Sequence, residues 1–370
     1  MKIVVALDSF KGSVSSAQAC ASIEKGIKKT MPTASVIIKP IADGGEGTLD
    51  AIVPRQNRVA VEVTDPTFNK IIAEYGAVND TAVIEMARAA GLTLVGEASR
   101  NAGRTTTYGV GEMIAHALEN GFRKIMLTAG GSATNDGGCG MLAALGAVFN
   151  DAQGNPFIPT GDSLYKIADI DLSGLPESFF ECEFTIATDV KNRLLGENGA
   201  TFVYAPQKGL EVGQREKLEA GMENYAAVIE KISRKNVSNV DGAGAGGGIA
   251  VPMLAFANAK ISSGIDTVLD TVDFDSALNG ADAVITGEGR IDVQSLYGKA
   301  ISGITKRAAQ KGVPVYCFVG CIGDDEATLK KMGVKEIYTV ASRASSTEDS
   351  MKNADKYLCA MAEEFGKSFK

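Results

Sequence analysis

Short apolar runs alternate along the chain with longer stretches of helical periodicity. The runs at residues 3–7 and 283–286 are continuous, as expected for parallel strands that are buried on both faces. Residues 58–65 and 70–78 instead alternate apolar and polar positions, which is typical of antiparallel or edge strands. Residues 15–29 begin with a Ser-x-x-Gln capping box and predict a helix. The pattern therefore predicts an α/β protein.

The order of these elements predicts two domains. Strands and helices alternate near both ends of the chain, so we expect residues 1–57 and 241–370 to form one Rossmann- or flavodoxin-like domain around a parallel sheet. The alternating strands begin at about residue 58, and we interpret residues 58–240 as an inserted α/β domain with a mixed sheet. Within this insertion, residues 203–206 are expected to form a strand.

Composition narrows the class of protein. Of 370 residues, 45% are hydrophobic and 22% are charged, which is ordinary for a soluble globular protein. The net charge of −8 argues against general binding to nucleic acid or to a membrane surface. The six cysteines lack the spacing of a metal site, and no segment approaches ~18 consecutive apolar residues. We therefore expect a cytoplasmic enzyme without a nucleic-acid or membrane partner.

Residues 128–140, with the sequence TAGGSATNDGGCG, are the strongest candidate for a ligand-binding loop. Five glycines surround Ser132, Thr134, Asn135 and Asp136. Glycine permits positive φ and a close backbone approach, so successive N–H groups can converge on an anion. An apolar run precedes this loop and helical spacing follows it, which is the arrangement of a phosphate site at a helix N-terminus. A tight turn whose glycines serve only geometry is the alternative.

Other strand ends also lead into loops of acids and glycines. Asp8 follows the first apolar run, and Asp43 lies in the loop ADGGEG after the second strand. Doubly wound sheets bind ligands in such loops, at the carboxyl ends of their strands. After a later strand, Glu288, Arg290 and Asp292 form either a local ion pair or part of a metal–phosphate site.

A second glycine cluster matches the spacing of a dinucleotide fingerprint. Gly242, Gly244 and Gly247 fit GxGxxG, but the segment before them is a poor strand. A hinge or a loop that permits a close backbone approach is the alternative interpretation.

Rare side chains restrict the chemistry further. There is no tryptophan, and the single histidine, His116, lies among apolar neighbours in a helical segment, so we interpret it as structural. Histidine-dependent triads and zinc chemistry are therefore disfavoured. Carboxylates, lysines, arginines and backbone amides remain, and these groups suit phosphoryl transfer, in which acids hold Mg²⁺ and an Asp accepts a hydroxyl proton.

Nine motifs occur in order along the chain, namely DSFKGS (8–13), ADGGEGT (42–48), VIEMA (83–87), TTYG (106–109), GGSATNDGG (130–138), TDVKNRLLGENGA (188–200), PQKG (206–209), SGID (263–266) and TGEGRID (286–292). In these motifs the sequence resembles the type 1 glycerate kinase family, bacterial enzymes that phosphorylate D-glycerate with ATP. The resemblance extends from Lys2 to the C-terminal helix. It implies a two-domain α/β fold unrelated to P-loop kinases, Mg²⁺-ATP as phosphate donor, glycerate as acceptor and, usually, 2-phosphoglycerate as product.

A glycerate site in this fold needs a cation and donors for the carboxylate, a base for one hydroxyl and a phosphate cradle, in a cleft that closes between the two domains. We expect Asp189 to be the base, with Lys11 and Arg290 as catalytic cations. The other expected contacts are, for substrate, Asp8, Ser9, Glu85, Asn135 and Asp136; for phosphate or nucleotide, Gly130, Gly131, Ser132, Gly287, Gly289 and Lys299; and for Mg²⁺, Asp43 and Asp292.

Two other functions stay open. A nicotinamide-dependent oxidoreductase would use the glycines at 242–247 to bind a pyrophosphate, and a non-catalytic sensor would bind a small organic acid without consuming ATP. The partners that we expect are glycerate and ATP, and the protein itself is expected to be a monomer or a homodimer.

Overall fold

The computed structural model describes residues 1–10, 12–45, 47–211, 213–291, 300–323 and 333–369. Three of the expected site residues, Lys11, Asp292 and Lys299, lie outside these ranges. No helix in the described ranges combines the length and the apolar character needed to cross a membrane.

Strands and α-helices are numbered along the chain. The strands are β1 Lys2–Leu7, β2 Ser35–Ile38, β3 Arg58–Thr64, β4 Lys70–Val78, β5 Thr81–Glu85, β6 Lys124–Thr128, β7 Val148–Asn150, β8 Pro156–Phe157, β9 Asp169–Asp171, β10 Glu183–Ala187, β11 Lys260–Ser262, β12 Ala283–Gly287, β13 Arg290–Ile291, β14 Val315–Val319, β15 Cys321–Ile322 and β16 Val334–Thr339. The helices are α1 Ser16–Thr30, α2 Thr48–Ile52, α3 Ala87–Ala90, α4 Tyr108–Glu119, α5 Cys139–Ala144, α6 Glu177–Glu181, α7 Ala200–Tyr204, α8 Arg215–Ser233, α9 Val251–Phe256, α10 Gly264–Thr271, α11 Phe274–Leu278, α12 Ala300–Gln310, α13 Thr347–Lys352 and α14 Ala354–Ser368.

Packing divides the chain into two compact units. Unit 1 comprises Met1–Asp43, Asp50–Pro54 and Gly264–Lys370, and unit 2 comprises Gly44–Leu49 and Arg55–Ser263. The two ends of the chain thus share one unit, as expected. The division falls later than residue 241 because β11 pairs with β10 and the apolar side chains of α9 join the core of unit 2.

Unit 1 is built on a parallel sheet. Its described strands follow the order β2-β1-β12-β14-β16. Counted within the unit this order is 2-1-3-4-5, that of flavodoxin-like folds, and the direction of winding reverses between β1 and β12. Both strands are almost wholly buried, which explains their continuous apolar sequences. The expected flavodoxin-like sheet is confirmed.

Helices α1 and α14 cover one face of this sheet. The predicted capping box is formed, because Ser15 Oγ accepts from the Gln18 N–H at 3.3 Å and Gln18 Oε1 accepts from the Ser15 N–H at 3.0 Å. The two helices approach closely at Gly26, where a Cβ would lie 2.2 Å from the carbonyl oxygen of Cys359. Ile23 of α1 and Phe365 of α14 belong to the same apolar core.

Unit 2 is built on a mixed sheet, as predicted. The strand order is β11-β10-β6-β5-β4-β3, in which β5, β6, β10 and β11 run parallel and β3 and β4 are antiparallel. The carboxyl ends of the parallel strands therefore meet at one edge. Helices α4, α5, α8 and α9 pack their apolar faces into the core that covers this sheet.

One predicted strand in unit 2 is wrong. Residues 203–206 were expected to be extended, but Ala200–Tyr204 forms α7 and Pro206–Lys208 forms a 3₁₀ turn. A short apolar run fits a strand or a buried helical turn equally well. Here the first turn of the helix buries Ala200 and Thr201, while Val203 points to solvent.

Candidate active site

The carboxyl edge of the unit 1 sheet borders a cavity of about 670 Å³. The expected site residues Asp8, Ser9, Asp43, Gly289 and Arg290 all line it. They follow β1, β2 and β12, so the cavity lies beside the point at which the winding of the sheet reverses, where open α/β sheets bind ligands. Apolar side chains, among them Phe10, Val340 and Met351, form another part of the wall. A volume of this size suits a small organic ligand.

Local contacts fix the first loop of this cavity. The backbone N–H of Asp8 donates to the carbonyl of Gly287 at 2.9 Å, which extends the pairing of β1 with β12. The Ser9 N–H then donates to Asp8 Oδ1 at 2.6 Å, and the Asp8 side chain is buried. Gly287 itself lies inside β12, where a Cβ would meet the carbonyl oxygen of Phe318 at 1.6 Å. This glycine permits close packing of the strands and does not line the cavity.

The carboxyl edge of the unit 2 sheet gathers a second set of expected residues. Thr128 at the end of β6 pairs with Glu85 of β5 and with Ala187 of β10. The glycine loop that follows β6 and the exposed Asp189 that follows β10 therefore leave the sheet side by side. Glu85 is 1% exposed, and its two carboxylate oxygens accept from the backbone N–H groups of residues 47 and 49, at 2.8 and 3.1 Å.

The glycine loop is fixed on one side and offers donors on the other. The Ala133 N–H donates to the carbonyl of Ala90 at 2.8 Å, and the carbonyl of Gly131 accepts from the Leu92 N–H at 2.8 Å. The backbone N–H groups of residues 130, 131 and 132 have no acceptor among the described residues. Gly131 has a φ of +71°, which this bend requires. A run of unused N–H groups in a glycine turn is an anion-binding arrangement.

Asp136, expected from the sequence to contact substrate, is engaged by the backbone of its own unit. Its carboxylate is fully buried and accepts from the Thr107 N–H and Oγ1, both at 2.8 Å, and from the N–H groups of Gly138 and Gly140, both at 3.2 Å. Burial raises the pKa of Asp136, although these hydrogen bonds oppose the shift. Through these hydrogen bonds the carboxylate connects the turn before α5 to the start of α4, and both of its oxygens act as acceptors within the protein.

The glycine cluster at residues 242–248 is a close-approach loop. A Cβ at Gly247 would lie 2.0 Å from the carbonyl oxygen of Thr134, and one at Gly244 would lie 2.4 Å from that of Arg193. The Gly137 N–H also donates to the carbonyl of Gly247 at 2.9 Å. Gly247 thus packs against the loop at 130–138 and Gly244 against the segment at residue 193, which argues against the dinucleotide interpretation.

Comparison with known proteins agrees with the motifs. The family model described as the glycerate kinase family matches residues 3–370. The chain is 40% identical to a glycerate kinase of Bacillus subtilis, covering 100% of this chain and 98% of that protein, and 39% identical to a glycerate 2-kinase of Escherichia coli, covering 97% and 95%. The chain belongs to the glycerate kinase family. A crystal structure from Salmonella typhimurium LT2, described provisionally as a glycerate kinase 2, has a TM-score of 0.90 and 38% identity, covering 100% and 98%.

In this member of the glycerate kinase family, the histidine is structural, as predicted. His116 Nδ1 lies 3.0 Å from the hydroxyl of Tyr75, and the two rings meet edge to face in the core beside α4.

Sequence reasoning missed Lys208. Its Nζ donates to Ser132 Oγ and to the carbonyl of Thr134, both at 2.8 Å, and the residue is 2% exposed. Burial lowers the pKa of Lys208 to about 7, although the charge of Asp136 opposes the shift. The motif PQKG contains this lysine. With a strand expected at 203–206, however, the sequence did not predict that its side chain contacts the glycine loop.

Proposed function

We propose that this chain transfers the γ-phosphoryl group of ATP to D-glycerate and forms 2-phosphoglycerate. The observation that carries the proposal is the match of nearly the whole chain to the glycerate kinase family. The position of transfer follows the name of the Escherichia coli relative, glycerate 2-kinase. This reaction relies on positioning and on stabilisation of charge, which carboxylates, cations and backbone N–H groups can supply.

The acceptor needs a cation for its carboxylate and a base for its hydroxyl. We assign Arg290, with Ser9 and Asp8, to glycerate, because they line one cavity and Arg290 is exposed there. Lys11 keeps its proposed role as a second cation, although it lies outside the described residues. Asp189 is the proposed base, since it is exposed and follows a strand at the edge that carries the glycine loop.

The donor needs a cradle for its phosphates. We assign Gly130, Gly131 and Ser132 to this cradle because their N–H groups are unused among the described residues. Asn135, expected from the sequence to contact the substrate, is assigned to this cradle as well, since its buried Oδ1 has no hydrogen-bond partner within the described ranges. Gly289 and Lys299 remain proposed nucleotide contacts, and Glu85 acts by holding residues 47–49. Gly287 and Asp136 are left out, since packing and hydrogen bonds already engage them.

The residues also fit Mg²⁺, which usually takes one or two carboxylates together with phosphate oxygens. Asp43, in the cavity wall, is the proposed ligand among the described residues, and Asp292 is the second. A cluster of three or more His, Cys, Asp or Glu side chains that could hold a metal ion does not occur in the described ranges. When bound, Mg²⁺ supplies positive charge that offsets the charge of the phosphates.

The reaction is tested by following ADP release with D-glycerate, ATP and Mg²⁺, and by assigning the product from phosphorus–proton couplings in NMR. We expect ADP release that depends on glycerate, and coupling of the phosphorus to the proton at C2. Glycerate binding without ADP release would instead support a sensor, and coupling to the C3 protons would place the phosphate on the other hydroxyl.

The variant Asp189→Asn tests the proposed base. Loss of the proton acceptor should lower kcat by about 10²- to 10⁴-fold with the fold intact, because an amide is a far weaker base than a carboxylate. The matched control is Asp80→Asn, an exposed acid that pairs with Lys124 at 2.7 Å just before β5, at the opposite end of the same strands. Near-normal kcat in Asp189→Asn would remove this residue from the role.

A further inference from the structure

Lys208 is a buried lysine with neutral partners. Both of its described hydrogen bonds end on the glycine loop, one on a side-chain hydroxyl and one on a backbone carbonyl. No carboxylate in the described residues lies within ion-pair distance of its ammonium. Burying a charge in this way is unfavourable unless something compensates for it.

The backbone around Lys208 brings it to the loop. Pro206–Lys208 forms one 3₁₀ turn, and Gly209 ends it with a φ of +83°. A Cβ at Gly209 would lie 2.2 Å from the carbonyl oxygen of Arg100, so only glycine fits at this position. The turn and this close contact fix where the lysine side chain begins.

Further polar groups of the loop lack partners. Lys208 uses two of its three N–H donors among the described residues, and the buried Thr134 Oγ1 and Asn135 Oδ1 have no hydrogen-bond partner there. Buried polar atoms are almost always paired, by protein, water or ligand. With the unused N–H groups at 130–132, these atoms form one polar cluster around the Lys208 ammonium, which has no carboxylate within ion-pair distance in the described part of the chain.

We propose that Lys208 is a positioning residue for the phosphate groups of the nucleotide, acting through Ser132 and Thr134. Its ammonium holds the Ser132 hydroxyl and the Thr134 carbonyl, and so keeps the N–H groups of 130–132 turned away from internal acceptors. Its charge compensates part of the negative charge that the loop receives. This inference rests on the proposed function, in which the loop binds ATP.

The test measures binding of Mg²⁺ with β,γ-imido-ATP by calorimetry, which requires no phosphoryl transfer. We expect Lys208→Met to weaken binding about tenfold or more, and Ser132→Ala by about threefold. The double variant should bind no more weakly than Lys208→Met alone, because the two residues act as one unit. Lys235→Met is the matched control, since this exposed lysine also donates to a carbonyl, that of Leu254 at 3.1 Å, and should bind as wild type does.

Steady-state kinetics distinguish a positioning role of Lys208 from a general loss of folded protein. In Lys208→Met the KM for ATP should rise about tenfold while kcat stays within about threefold, since the lost interaction binds the nucleotide equally in the ground state and the transition state. Thermal unfolding establishes that each variant is folded at the temperature of the assay.

Several outcomes overturn the inference. The inference is wrong if Lys208→Met binds the analogue as tightly as wild type does. It is also wrong if the losses of binding free energy in Lys208→Met and Ser132→Ala add in the double variant, or if the wild type does not bind the analogue at all. If Lys208→Met does not fold, Ser132→Ala decides: unchanged binding overturns the inference and weaker binding supports it. A wild type that binds the analogue but does not phosphorylate glycerate refutes the proposed function and leaves this test intact.

Discussion

The two units use the carboxyl edge of a parallel sheet in different ways. In unit 1, the loops after β1, β2 and β12 separate and leave a cavity, and Asp43 and Arg290 in its wall remain partly or fully exposed. In unit 2, the loop after β6 packs against other parts of the unit, and both its own Asp136 and the adjoining Lys208 are buried. Similar sequence features, glycines beside acids, thus build an open pocket in one unit and a supported loop in the other.

This difference teaches that acids in glycine-rich loops have two physical roles. A carboxylate whose oxygens accept several backbone N–H groups stabilises its loop, as Asp136 and Glu85 do. A charged side chain in a cavity wall contributes little to stability and can bind a ligand. We therefore expect substitution of these buried acids in unit 2 to affect folding first, and substitution of charged residues in the wall of the unit 1 cavity to affect activity first.

The largest expected difference in the free energy of unfolding is between Asp136→Ala and Arg290→Met. Removing Asp136 leaves three buried N–H groups and a hydroxyl without their acceptor, and should lower the free energy of unfolding by about 3–5 kcal/mol. Removing the exposed Arg290 should change it by less than about 0.5 kcal/mol, while the KM for glycerate rises about tenfold or more. Urea unfolding and initial rates measure the two effects.

Arg343→Met is the control for the second variant. Arg343 pairs with Glu364 in unit 1 but does not line the cavity, so its loss should leave the KM for glycerate unchanged. If Asp136→Ala were stable and Arg290→Met unfolded, the division between a supporting loop and a binding cavity would be reversed.

A smaller difference in the free energy of unfolding is expected between alanine substitutions at two glycines of unit 2, both of which have a positive φ. Gly247→Ala places a Cβ 2.0 Å from the Thr134 carbonyl oxygen at a φ of +74°, and should cost about 2–4 kcal/mol. Gly154→Ala, at a φ of +81° with nothing within 4 Å, should cost only about 1 kcal/mol. The difference in unfolding free energy measures how tightly residues 242–248 support the glycine loop, and equal costs would show that they do not.

Periodicity predicted most of the fold, because buried parallel strands and amphipathic helices leave direct signals. The continuous run of β1, the capping box at Ser15 and the alternating β3 and β4 are all as expected. The segment at 203–206 failed because a few apolar residues do not distinguish a strand from a helical turn. The short β11 was missed because three residues at the edge of a sheet carry too little pattern.

The site was predicted less completely than the fold. Strand ends identify which residues reach a carboxyl edge, so the cavity residues Asp8, Asp43 and Arg290 could be named from the sequence. Whether a side chain at such an edge faces a ligand or its own backbone depends on contacts between distant segments. The sequence therefore could not separate Asp136 from Asp189, and it gave no sign that Lys208 lies 2.8 Å from Ser132 Oγ.

A further expected effect is a change in how the free energy of unfolding depends on pH. The pKa of Lys208 is about 7 in the folded protein, below the ordinary value of 10.5 that it regains on unfolding. Between these values the unfolded chain binds more protons than the folded one, so this lysine makes the free energy of unfolding rise with pH. The slope reaches about 1.4 kcal/mol per pH unit and disappears below pH ~7, where both states are protonated. Lys208→Met should remove this contribution.

The measurement is urea unfolding of wild type and Lys208→Met at pH 7, 8 and 9. Cysteines and tyrosines also titrate in this range, but they are common to both proteins, so the difference between the two free energies isolates Lys208. That difference should grow in favour of the wild type as the pH rises. Lys235→Met should show no such trend, because this side chain stays in water in both states. A constant difference for Lys208→Met would mean that the buried ammonium keeps its ordinary pKa, stabilised by its oxygen partners and by the charge of Asp136.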